Sequence, residues 1–65
     1  SNFYDYVNAL RVKACVERLR SGDYQVKTLE ALSQESGFQS RSTFIRAFKK
    51  IQGITPRDFV QGIKD

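Results

Sequence analysis

Three glycines punctuate this chain, and each closes a run of helix-forming residues: Gly22, Gly37 and Gly53. Glycine enters the left-handed backbone region without a steric penalty and therefore ends helices. Each is soon followed by a residue whose side-chain oxygen can accept from the free N–H groups of a new helix: Thr28, Ser40 and Thr55. Asn2 plays the same part ahead of the first run, with Asp5 three residues on in a box-like arrangement. This punctuation predicts four helices and no strand. The first runs from Asn2 to about Arg20, the second covers "LEALSQES", the third spans Ser40 to Gln52, and Thr55-Pro56 opens the fourth. Proline at a first helical position has no N–H to lose and a φ already suited to the helix, so Thr55-Pro56 is the sharpest start in the chain. Ile54 and Phe59 fall where a hydrophobic staple would pair them. "SGDYQ", between the first two helices, reads as a loop.

With 65 residues the chain is one domain or part of one, and its core must be small. No apolar run approaches the length that spans a bilayer, and no signal peptide is visible. The single cysteine, Cys15, has no partner for an internal disulfide and is compatible with a reducing compartment. Histidine is absent, which removes the commonest general base and the commonest zinc ligand. The seven carboxylates are scattered as caps and surface charges, and there is no Gly-rich phosphate loop. These absences argue against an enzyme, and no cofactor or metal is expected. The net charge of +4 and pI of about 9.6 favour an anionic partner.

The first helix carries two apolar stripes in series. At about 100° per residue, Phe3, Tyr6, Val7, Leu10 and Ala14 line one face of its N-terminal half. Val12, Val16 and Leu19, with Cys15 at their edge, line a nearly opposite face further on. A helix of this kind either bridges two packed units or lies at the centre of a small bundle. In the third helix Phe44, Ala47, Phe48 and Ile51 form one stripe, which is expected to be core. Ser42, Arg46 and Lys49 lie opposite, Ile45 and Lys50 lie on the flanks, and Arg41 sits in the first turn.

Leu29 and Leu32 on the second helix, small Ser33, then Gly37 and Phe38, give the order of a helix-turn-helix. In the simplest spacing the next core positions after the glycine would be Thr43 and Arg46. Here they fall one residue later, at Phe44 and Ala47, so the turn must be one residue longer. The stretch "GFQSRSTFIRAFKKIQGITPRDF" resembles the C-terminal signature of the AraC/XylS family of transcription regulators. The matching residues are Gly37, Phe38, Ser42, Phe44, Phe48, Lys49, Gly53, Thr55, Pro56 and Phe59. Upstream, "YVNALRVKACVERL" looks like the long helix that joins the family's two helix-turn-helix units. Ser33, Ser36 and Cys15 depart from the usual pattern, and the loop before Thr28 is longer than in many members.

The resemblance implies an all-α fold: a homeodomain-like three-helix unit over residues 23–65, preceded by a linker helix over residues 1–22. It implies double-stranded DNA as partner, helix 40–52 in a major groove, and a bacterial cytoplasmic setting. By the same resemblance Arg41, Ser42, Ile45 and Arg46 face base edges, with a thymine methyl suiting Ile45. Lys49 and Lys50 would touch phosphate, as would Thr28 and Ser40 at the helix starts. The family's first helix-turn-helix unit would cover Phe3, Tyr6, Val7 and Leu10. Without it those four form a patch that invites self-association. Two other readings compete: a helical protein-interaction module using that same patch, and a basic helix lying on a membrane or RNA. A contact with RNA polymerase is compatible with the resemblance.

Overall fold

The structure, a computed structural model, describes residues 2–65. It consists of α1 (Phe3–Arg20), α2 (Leu29–Glu35), α3 (Arg41–Gln52) and α4 (Pro56–Lys64), with no strand among the described residues. Every helix starts on its sequence-predicted cap. Asp5 N–H donates to Asn2 Oδ1 at 2.9 Å, Ala31 N–H to Thr28 Oγ1 at 3.0 Å, Thr43 N–H to Ser40 Oγ at 3.3 Å and Asp58 N–H to Thr55 Oγ1 at 3.1 Å. Such caps each contribute about 1 kcal/mol, a large fraction of what so small a core can supply. One expectation needs correction. The "SGDYQ" segment is not simply a loop, because Asp23–Gln25 form a 3-10 turn and Tyr24 packs against the core.

The core is a single cluster contributed by three helices and the turn between α2 and α3. Val12, Cys15, Val16 and Leu19 come from α1, Leu32 from α2, Phe38 from the turn, and Phe44 and Phe48 from α3. Phe38, Phe44, Phe48 and Phe59 form a continuous series of edge and tilted ring contacts, with centroids 5.3, 5.8 and 5.5 Å apart in succession. Aromatic pairs at such separations add to the gain from burial itself. The series carries α4 onto the α3 core, since Phe59 lies on α4.

The C-terminal stripe of α1 is buried as expected, and it extends one turn further back than the apolar residues do. Asn8 lies on the same face and is 6% exposed, with its Oδ1 accepting from Arg11 at 3.1 Å. A polar residue at the end of a buried row is tolerated because that bond satisfies it. Ile51 corrects a second expectation. It belongs to the α3 stripe but is 44% exposed, because it lines an open groove between α3 and the first turns of α1.

The turn between α2 and α3 is fixed by backbone chemistry. Gly37 has φ 108°, a region that side-chain-bearing residues rarely enter. Its N–H donates to the Gln34 carbonyl and the Phe38 N–H donates to the Ser33 carbonyl, both at 3.0 Å, the pattern of a Schellman stop. Arg11 covers this turn, with its guanidinium 5.8 Å from the Phe38 ring centroid. The two serines that depart from the family pattern are accommodated locally. Buried Ser33 donates its hydroxyl to the Glu30 carbonyl at 2.7 Å, and Ser36 donates to the Leu32 carbonyl at 2.8 Å. Burial pushes the Cys15 thiol up from its ordinary value, with Ser36 and Arg18 opposing weakly. The thiol therefore stays protonated inside the core and is a packing group rather than a nucleophile.

Candidate nucleic-acid interface

The orientation of α3 follows from its two buried rings. With Phe44 and Phe48 turned inward, the ridge of Ser42, Arg46 and Lys49 faces away from the core, and all three residues are exposed. Arg41 and Ile45 lie on one flank of that ridge and Lys50 on the other. Arg41 and Ile45 line a groove toward the starts of α2 and α4. Arg46 and Lys50 line a second groove against the first turns of α1, opposite Tyr4 and Asp5. All six sequence-predicted positions on α3 thus lie on one continuous exposed side of the molecule. Ile45 is less free than its spacing implied, being 37% exposed beside the first turn of α4.

Charge is distributed unevenly over this chain. α3 carries four cations and no carboxylate. None of Arg41, Arg46, Lys49 and Lys50 makes an ion pair among the described residues. Four of the seven other cations are engaged. Arg18 and Lys27 both pair with Glu35, and the Lys27 ammonium lies 2.9 Å from its carboxylate. The hydrogen bond from Lys27, above all, holds the Glu35 carboxyl below its ordinary range. Arg11 and Arg20 lie over the Phe38 and Phe59 rings. The side of α3 therefore presents four cations without an ion-pair partner among the described residues, with Asp5 and Glu30 at the margins of its two grooves.

Thr28 and Ser40 stand at the starts of α2 and α3, where each hydroxyl oxygen accepts the cap hydrogen bond already described. A capping hydroxyl keeps its own proton as a donor, so capping and a contact to an outside oxygen are compatible. Ser40 Oγ also shares a 3.1 Å hydrogen bond with Ser42 Oγ, which ties the cap to the ridge. One residue beside the interface was not singled out from sequence. Arg57, in the first turn of α4, shares a groove with Arg41 and Ile45. The only sequence signal for it was its place directly after Thr55-Pro56.

A short helix, a glycine-stopped turn and a following helix with an exposed basic side define a helix-turn-helix DNA-binding domain. Residues 1–62 match the family model described as Helix-turn-helix domain. The chain belongs to this family, and the match supports the AraC/XylS-type DNA-binding domain that its signature resembles. It is a DNA-binding domain of the transcription-regulator kind, a non-enzymatic class of module. No match was found among curated proteins or among solved structures. No helix among the described residues is long and apolar enough to cross a membrane.

Proposed function

We propose that α3 is the recognition helix of a sequence-specific transcription regulator and docks its N-terminal half in a DNA major groove. The observation that carries this reading is the exposed side of α3, with four unpaired cations and no acid, held outward by buried Phe44 and Phe48. In it, Arg41, Ser42, Ile45 and Arg46 meet base edges. Lys49 and Lys50 reach phosphate, and Thr28 and Ser40 donate hydroxyl protons to the backbone at the helix starts. RNA is less well served, because the α3 phenylalanines, which could otherwise stack on unpaired bases, are turned into the core. The setting this implies is the bacterial cytoplasm.

The test is a titration of duplex DNA over a range of salt concentrations. Each phosphate neutralised on B-form DNA contributes about 0.9 to the log–log slope, so about three contacts give a slope near −3. Affinity that does not change with salt would remove the groove-docking reading.

A second proposal concerns the other end of the molecule. Phe3 is 80% exposed, Tyr6 61% and Leu10 50%, while Val7 is half-buried. We infer that residues 1–22 act as a linker helix, and that this patch is the face which a preceding helix-turn-helix unit covers. Left open in the 65-residue chain, it drives concentration-dependent self-association. Sedimentation velocity is expected to show dimers as concentration rises. A strict monomer throughout would refute the proposal.

A further inference from the structure

A groove opens between the first turn of α2, the first half of α3 and the first turn of α4. Thr28 and Glu30 line it from α2, Arg41 and Ile45 from α3, and Thr55 and Arg57 from α4. Two guanidinium groups from different helices thus share the groove with a single carboxylate. Arg57 is exposed and makes no ion pair among the described residues. The groove is continuous with the proposed DNA-docking side, because Arg41 and Ile45 belong to both.

We propose that Arg57 is a further DNA contact, and that the α4 side of this groove seats the sugar–phosphate backbone of one strand of the duplex whose base edges Arg41 and Ile45 meet. The inference rests on the docking of α3 proposed above. Charge complementarity and continuity select the occupant. A duplex lying on the first half of α3 carries a phosphate on each strand at every base step. A strand passing Arg41 therefore presents further phosphates to the α4 side of the groove. A guanidinium can give a phosphate two parallel N–H donors, which makes Arg57 a positional clamp as well as a charge. It carries no sequence preference, because a phosphate is the same at every step.

The experiment compares the 65-residue chain with Arg57→Gln, Arg57→Lys and Lys64→Gln on one duplex, with salt varied from about 50 to about 200 mM, where phosphate contacts dominate the response. Lys64→Gln removes the same charge from the same helix at its far end, outside the groove. Arg57→Gln is expected to lower the salt slope by about 0.9 and to weaken all duplexes alike. Arg57→Lys should retain the slope, and Lys64→Gln should leave it unchanged. Circular dichroism of each variant checks that α4 is intact. A steep wild-type slope that Arg57→Gln does not reduce overturns the Arg57 assignment and leaves α3 docking in place. Equal reductions by Arg57→Gln and Lys64→Gln overturn it too, since they report net charge alone. A flat wild-type slope removes the docking of α3 and this proposal together.

Discussion

Phe48→Ala is expected to cost about 3–5 kcal/mol, the range found when a buried aromatic is cut back to a methyl group. Phe48 is fully buried and stands in the middle of the ring series, touching Phe44 on one side and Phe59 on the other. Its removal leaves a cavity where α1, α3 and α4 meet, and it breaks the contact that holds α4 to α3. A single core in a chain this short supplies only a few kcal/mol of net stability. The loss is therefore comparable with the whole, and the variant should be largely unfolded at room temperature. Urea denaturation followed by helical circular dichroism measures this directly. A midpoint close to that of the unaltered chain would mean that the surrounding rings collapse into the space, and that the series is not what holds the fold.

Arg46→Ala is expected to lose about 1–3 kcal/mol on a specific DNA site and to relax preference at one base pair, the value of a good bidentate contact. The residue lies on the outward ridge of α3, nearer than Lys49 to the N-terminal end that the proposed docking places in the groove. It has no ion-pair partner among the described residues to hold it back from DNA. Guanidinium offers guanine O6 and N7 two donors in a fixed plane, which the point charge of a lysine matches poorly. Lys50→Ala provides the contrast, weakening all sequences alike and lowering the salt slope by about one. Both variants would be titrated against a preferred duplex and against its single-base changes. Uniform weakening by Arg46→Ala would make Arg46 a phosphate clamp and shift the reading face elsewhere. Its place in the groove opposite Tyr4 and Asp5 of α1 is where such a shift would point.

The starts of the four α-helices and the glycine stops after the first three were legible in the amino-acid order because capping is a short-range interaction, whereas the 3-10 turn at Asp23–Gln25 was not. A hydroxyl or amide oxygen bonds an N–H three residues on, and glycine alone enters positive φ cheaply, so neither depends on what else packs nearby. The inward turn of Phe44 and Phe48 was legible for a related reason. Helical periodicity is local, and with the two rings placed inward the ridge of Ser42, Arg46 and Lys49 must face out. The all-helical class, the lengthened turn after Gly37 and the exposed basic side therefore followed from the chain alone.

Tertiary structure decided how far each face is covered. Ile51 has the same periodicity as Phe48, yet one is exposed and the other buried, because Ile51 faces the open groove beside the start of α1 while Phe48 lies inside the core cluster. Asn8 reads as polar but is buried, since the contact face of α1 continues back past its last apolar residue. The two stripes of α1 look equivalent in periodicity; the resemblance implied that the first lies open without a preceding unit, and the fold leaves most of it facing outward. Arg57 could not be joined to Arg41 by any local rule. They share a groove because α4 packs back against α3 through the Phe48–Phe59 contact between the two consecutive helices. Local hydrogen-bond geometry and backbone sterics belong to the sequence. Coverage of a face, and the meeting of side chains from separate helices, depend on where neighbouring elements end, which no short window of residues encodes.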